Sequence, residues 1–101
     1  MERQSILFAQ LVSMFQIAAM QQMGKLKNPI TDSVERDLDA ARVSIDMLEM
    51  IRDRMKGNLQ GEEEKLLTQV VHELRLNFVD EASKPAPAPA EQKGASQEGL
   101  P

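Results

Sequence analysis

Apolar positions recur along this chain at helical spacing, in three blocks separated by turn signals. The first block runs from about Ser5 to Met23. On a helical wheel, Leu7, Phe8, Leu11, Val12, Met14, Phe15, Ala18 and Ala19 fall on one wide face, predicted to meet the core. Gln10, Ser13, Gln16 and Gln21 mark the other side, yet Ile6, Ile17 and Met20 sit among them. No charged residue occurs between Arg3 and Lys25. An ordinary surface helix carries charge on its outer face. This helix is therefore predicted to be contacted on more than one side.

Gly24 ends the first block, with Lys25 and Lys27 near the negative end of the helix dipole. Asn28-Pro29 makes a turn, because Pro29 disfavours helix at the residue before it. Thr31 or Asp32, followed by Glu35, resembles a capping box, which predicts a second helix from about Val34 to Lys56. Val34, Leu38, Ala41, Ile45, Leu48 and Met55 form one apolar stripe on it, and Ala40, Val43, Met47, Met50 and Ile51 form another. The charges of Glu35, Asp39, Arg42, Asp46, Glu49 and Asp53 take the third side. Two stripes imply neighbours in two directions.

Gly57 suits the left-handed position after a helix, so Lys56-Gly57-Asn58 closes the second block, and Leu59 is predicted to fold back onto the core. The third helix opens near Gly61 with Glu62, Glu63 and Glu64, negative charges where a helix start is positive. Leu66, Leu67, Val70, Val71, Leu74 and Phe78 give it one apolar face. The short link from Gly57 to Gly61 predicts an antiparallel hairpin of helices two and three. From Ser83 the chain turns to Pro and Ala, and residues 83–101 are expected to be a disordered tail after a helical domain of residues 1–82.

The combination of Asp37-Leu38, Ala41-Arg42, Ile45-Asp46, Lys56-Gly57-Asn58-Leu59 and Glu73-Leu74-Arg75 with Phe78-Val79 resembles the bacterial family called domain of unknown function 1844. The resemblance covers roughly Phe8 to Val79. Gln60-Gly61 departs from the family pattern, which implies a weaker cap on helix three. The resemblance implies a short helical protein, and it carries over no activity and no catalytic residues.

Composition narrows the function classes. A domain of about 80 residues has a core that is usually only marginally sufficient, and such domains lean on disulfides, a metal or a partner chain. Zero Cys excludes disulfides, and one His argues against structural zinc. A partner chain is left. A net charge of −4, no basic cluster and no Trp or Tyr argue against nucleic acid. The N-terminal residues lack the features of a secretory signal, so the chain is expected in the cytoplasm. The uncharged stretch is long enough to span a bilayer, but its Gln and Ser residues would be costly in hydrocarbon, and membrane attachment is not expected.

Candidate chemistry is sparse. His72 has no second imidazole or Cys to converge with and is expected on the surface. Asp39, Asp46 and Asp53 share a line, but Arg42 on that face points to solvated pairing rather than a metal. Lys56-Gly57-Asn58 lacks the spacing of a phosphate loop. Arg52 falls in a gap of the first apolar stripe and is a candidate for pairing with Glu73 across the hairpin or a subunit boundary. The Met residues suit core packing first and an adaptable groove second.

These features predict an all-α chain: a long N-terminal helix plus an antiparallel helical hairpin, completing its core by oligomerisation. No catalytic, metal or cofactor residue is assigned. The expected partner is a second copy, through Ile6, Gln10, Ser13, Ile17, Met20, Val43, Met47 and Met50. A helix from another protein in a Met-rich groove, or peripheral membrane contact through helix one, are the alternatives.

Overall fold

The structure, a computed structural model, describes residues 2–85. Three helices dominate it: α1 (Arg3–Gln22), α2 (Leu38–Arg54) and α3 (Gly61–Ala82). Between α1 and α2 lie two short strands, β1 (Lys27–Asn28) and β2 (Ser33–Val34), paired antiparallel with Lys27 opposite Val34. The Pro-Ala tract expected to be disordered lies, from residue 86 onward, outside the described residues.

The hairpin corrects the expected start of helix two. Thr31 and Ser33 do not cap a helix. Their hydroxyls donate to Glu35 Oε2 at 3.0 and 3.3 Å, inside the connection, and Asp32 takes a positive φ of 55°. Val34, expected on the helix stripe, is in β2. The cap is Asp37, whose carboxylate accepts from the Ala40 amide at 3.1 Å. The Asp37 amide is itself committed to the Gln22 carbonyl at 2.6 Å, which ties the start of α2 to the end of α1. At the other end α2 stops at Arg54, two residues short of expectation, and Gly57 holds a φ of +87°. Gly24, at +91°, ends α1 in the same left-handed way.

The three helices alternate in direction. Glu2 accepts from the Gln60 side chain, and the Ser5 hydroxyl donates to Glu63 at 2.8 Å, so α1 and α3 start at the same end. α2 runs back between them. The core is built from Val12, Ala19 and Met23 of the α1 segment, Ala41, Ile45 and Leu48 of α2, and Leu67, Val70, Val71 and Leu74 of α3. Phe8, Phe15, Leu59 and Phe78 close over it from the sides. Despite the unusual Gln60, α3 is capped: the Gln60 amide donates to Glu63 Oε1 at 2.9 Å, satisfying a donor the helix leaves free.

α1 is rotated relative to expectation. Its inward face steps Ser5, Phe8, Val12, Phe15, Ala19, Met23, so Leu7, Leu11 and Met14, expected in the core, stand outside. Met20, expected among the outward residues, packs against the core. Beyond Arg3 the helix carries no charge, so little local signal marks its outer side. Seating two phenylalanines seven residues apart on one line decides the rotation.

Candidate interaction surface

α1 and α2 leave their outward faces open. On α1 the uncovered residues are Ile6, Leu7, Leu11, Met14 and Ile17, from 42% exposed at Leu11 to 67% at Met14. On α2 they are Val43, Met47 and Met50, with Val43 half exposed. Gln10 and Ser13 are also exposed on the outward side of α1. The spacing of three and four residues within each set makes stripes rather than scattered sites.

The two stripes border one seam. Ser44 donates to the Gln22 side chain at 2.7 Å across the α1–α2 contact, so the flank of α2 next to Ser44 faces α1. Val43, Met47 and Met50 lie on that flank's outer edge. Ala18 and Ala40, one from each helix, line a common cavity of about 420 Å³ at the α2 start, together with Gln21, Gln22, Asn28, Glu35, Arg36 and Asp37. Leu7, Leu11 and Met14 of α1 and Val43, Met47 and Met50 of α2 thus flank one seam as an apolar surface two helices wide, of the kind that marks a contact site, and Asp39 and Arg54 stand at its two ends on α2.

Two clusters of ion pairs lie away from this surface, and they hold the bundle together. Arg75 bridges the hairpin, donating to Glu49 Oε1 at 2.6 Å and Asp46 Oδ1 at 2.8 Å. The Glu49 and Asp46 hydrogen bonds raise its pKa, though the side chain is about one-third exposed. This replaces the expected Arg52–Glu73 pair within the chain: Glu73 accepts instead from Gln69 at 3.3 Å. On a wheel, Glu73 and Arg75 point in nearly opposite directions, so only one of them can face α2. Arg42, expected to support Asp46, lies 3.6 Å from Asp39 and 5.3 Å over the Phe78 ring.

A second cluster clasps the far end of α3, which has no basic residue in its last turn. Arg36 reaches in from the α1–α2 connection and donates to the carbonyls of Glu81 at 2.6 Å and Pro85 at 2.8 Å, satisfying groups the helix end leaves open. Lys25 sits 2.7 Å from Asp80 and 3.1 Å from Glu81, and Lys84 lies 2.8 Å from Glu81. The Lys25 hydrogen bond holds the Asp80 carboxyl below its ordinary 3.8. The Lys84 hydrogen bond does the same for Glu81, against the burial of its side chain. None of these residues was singled out from the sequence as a partner of another. By its place in the sequence Lys25 complements the α1 dipole, and its reach to α3 has no local signal.

His72 is exposed. Among the described residues no group of His, Cys, Asp or Glu is placed to hold a metal ion, and no helix is long and apolar enough to cross a membrane.

Against known families, the chain matches the model described as "Domain of unknown function (DUF1844)" over residues 5–80. The chain belongs to the DUF1844 family. The matched span begins at the buried Ser5 and ends at Asp80, taking in nearly all of the three helices and, of the clasp on α3, Lys25, Arg36 and Asp80. No curated protein and no solved structure matches the chain. This DUF1844 chain keeps an uncovered apolar face on α1 and α2.

Proposed function

We propose that this DUF1844 chain is a non-enzymatic interaction protein that works as a homo-oligomer, most simply a two-fold dimer, with the apolar face of α1 and α2 as its contact surface. One observation carries the reading: eight large apolar residues, Ile6, Leu7, Leu11, Met14, Ile17, Val43, Met47 and Met50, stay substantially exposed on two adjacent helices. Full burial of such a side chain is worth roughly 1.5–3 kcal/mol. Covering half of each amounts to several kcal/mol, comparable with the whole margin of a small domain, about 5 kcal/mol. A two-fold contact uses the same patch on both copies and closes. Gln10 and Ser13 suit it because they can hydrogen-bond across the contact without burying a charge. The surface is made mainly of alkyl, thioether and amide groups, and its one hydroxyl, Ser13, stands among them without a His or Lys at the neighbouring positions to act as base.

Sedimentation equilibrium of the full chain tests this. A dimer is expected at micromolar concentration, and Met47→Glu, at an exposed site, is expected to give single copies with unchanged helicity. A wild-type chain that stays single across that range would sink the reading. Exposed Met14, Met47 and Met50 favour one second reading, an adaptor whose flexible thioethers accommodate a helix of another protein. A single-copy wild type is what that alternative expects.

A further inference from the structure

The outward stripe of α2 has a polarity that its apolar character hides. Asp39, Val43, Met47, Met50 and Arg54 step by three and four residues and share an arc of about 80° on the helix. The stripe begins with an acid and ends with a base. Counted backwards about the point between Asp46 and Met47, its outer positions exchange: 39 meets 54, and 43 meets 50, with Met47 next to the axis. We propose that the second copy seats its α2 antiparallel on this α2, with the two-fold axis beside Met47. Asp39 then faces the partner's Arg54, and Val43 faces the partner's Met50. This arrangement rests on the self-association reading above.

Three observations support it. Asp39 has only a loose contact, 3.6 Å to Arg42, with both side chains largely exposed. Arg54 takes part in no ion pair among the described residues. Arg3 shares the Arg54 end of the molecule, because the start of α1 meets Gln60 just beyond the end of α2. The other two-fold arrangement, with the axis along the helices, lays α2 over the partner's α1 and brings the two Arg3–Arg54 ends together. Like charges juxtaposed at a contact are disfavoured, so the charges select the antiparallel order more than they strengthen it. The size is also adequate. α1, at 20 residues, is about 30 Å long, and two helices side by side span about 20 Å. That face is of the order of the ~800 Å² per partner that stable interfaces bury.

The chain has no Cys, so a single introduced thiol reports on its own neighbour. Met47→Cys is expected to form a covalent dimer on mild oxidation, since position 47 lies at the axis. Asp39→Arg and Arg54→Asp should each weaken dimerisation about tenfold or more, and the doubly exchanged chain should recover it. Recovery is the decisive readout. Asp39 and Arg54 also complement the dipole of α2, and a purely local role makes the double variant worse than either single one. A dimer in which Met47→Cys fails to cross-link, or in which the double variant fails to recover, overturns the antiparallel order while leaving self-association standing. A wild-type chain that sediments as single copies overturns both.

Discussion

Glu81 shows how much one side chain can be asked to do in a domain this small. It is a carboxylate with only 11% of its side chain exposed, answered by Lys84 at 2.8 Å and Lys25 at 3.1 Å, while its carbonyl caps the helix through Arg36. Asp80 and Glu81 both titrate below their ordinary values of 3.8 and 4.5 in the folded chain. The unfolded chain therefore binds more protons through the acid range. The stability they contribute is complete above those ordinary values and is lost as pH falls through the depressed ones. Lys25 and Lys84 are raised above 10.5, first by their hydrogen bonds to Asp80 and Glu81 respectively, so their share is present at neutral pH and is lost only as pH rises past the raised values. Glu81→Gln is expected to lower the melting temperature at pH 7 and to flatten its dependence on pH between about 5 and 3. Thermal melts across that range check it; an unchanged slope would remove Glu81 from the account. Gly57 is the other residue with a sharp expectation. At φ +87° an Ala there is strained although nothing lies within 4 Å of the added carbon, so Gly57→Ala should cost about 1 kcal/mol or more.

Among the elements, α2 is the one whose surroundings define the bundle. Its buried side, Ala41, Ser44, Ile45 and Leu48, meets both neighbours, and its acidic flank is pinned to α3 by Arg75. Arg52 and Arg75 are both partly exposed arginines near the hairpin, and among the described residues only Arg75 of the two has carboxylate partners. Arg75→Met should therefore destabilise, by up to about 1 kcal/mol for a pair this exposed to solvent, and Arg52→Met should change stability by less. Denaturant titration of the two variants compares them directly, and equal losses would contradict the pairing. The contrast also shows what could be read along α3. Its apolar face was legible from Leu66 to Phe78, because burial there follows helical spacing. Which arginine found a carboxylate was not legible, because that depends on how far α3 is turned against α2.

For the whole molecule, the proposed dimer would make folding and association one equilibrium. If a second copy covers Leu11, Met14, Val43 and Met47, binding to the folded chain alone raises its apparent stability with concentration. The melting temperature of the full chain should rise across a hundredfold increase in protein concentration, and Met47→Glu should abolish that rise. A concentration-independent midpoint in the wild type would mean that these side chains stay in water.

The amino-acid sequence by itself determined three helices and where most of them stop. Those features are local: apolar residues at spacings of three and four, glycines at Gly24 and Gly57 where the backbone turns left-handed, and glutamates at the start of α3. It also determined that α1 has more apolar surface than one neighbouring layer can cover. Only the tertiary structure decided which part of that surface is left over. After Arg3, α1 has no charge to mark its outer side, so its rotation was set by fitting Phe8, Val12 and Phe15 against α2 and α3, which turned Leu7, Leu11 and Met14 outward and Met20 in. The start of α2 was decided the same way. Thr31, Ser33 and Glu35 can satisfy a helix start or a hairpin equally well, and the long-range bonds of Asp37 to Gln22 and of Arg36 to the end of α3 chose the hairpin.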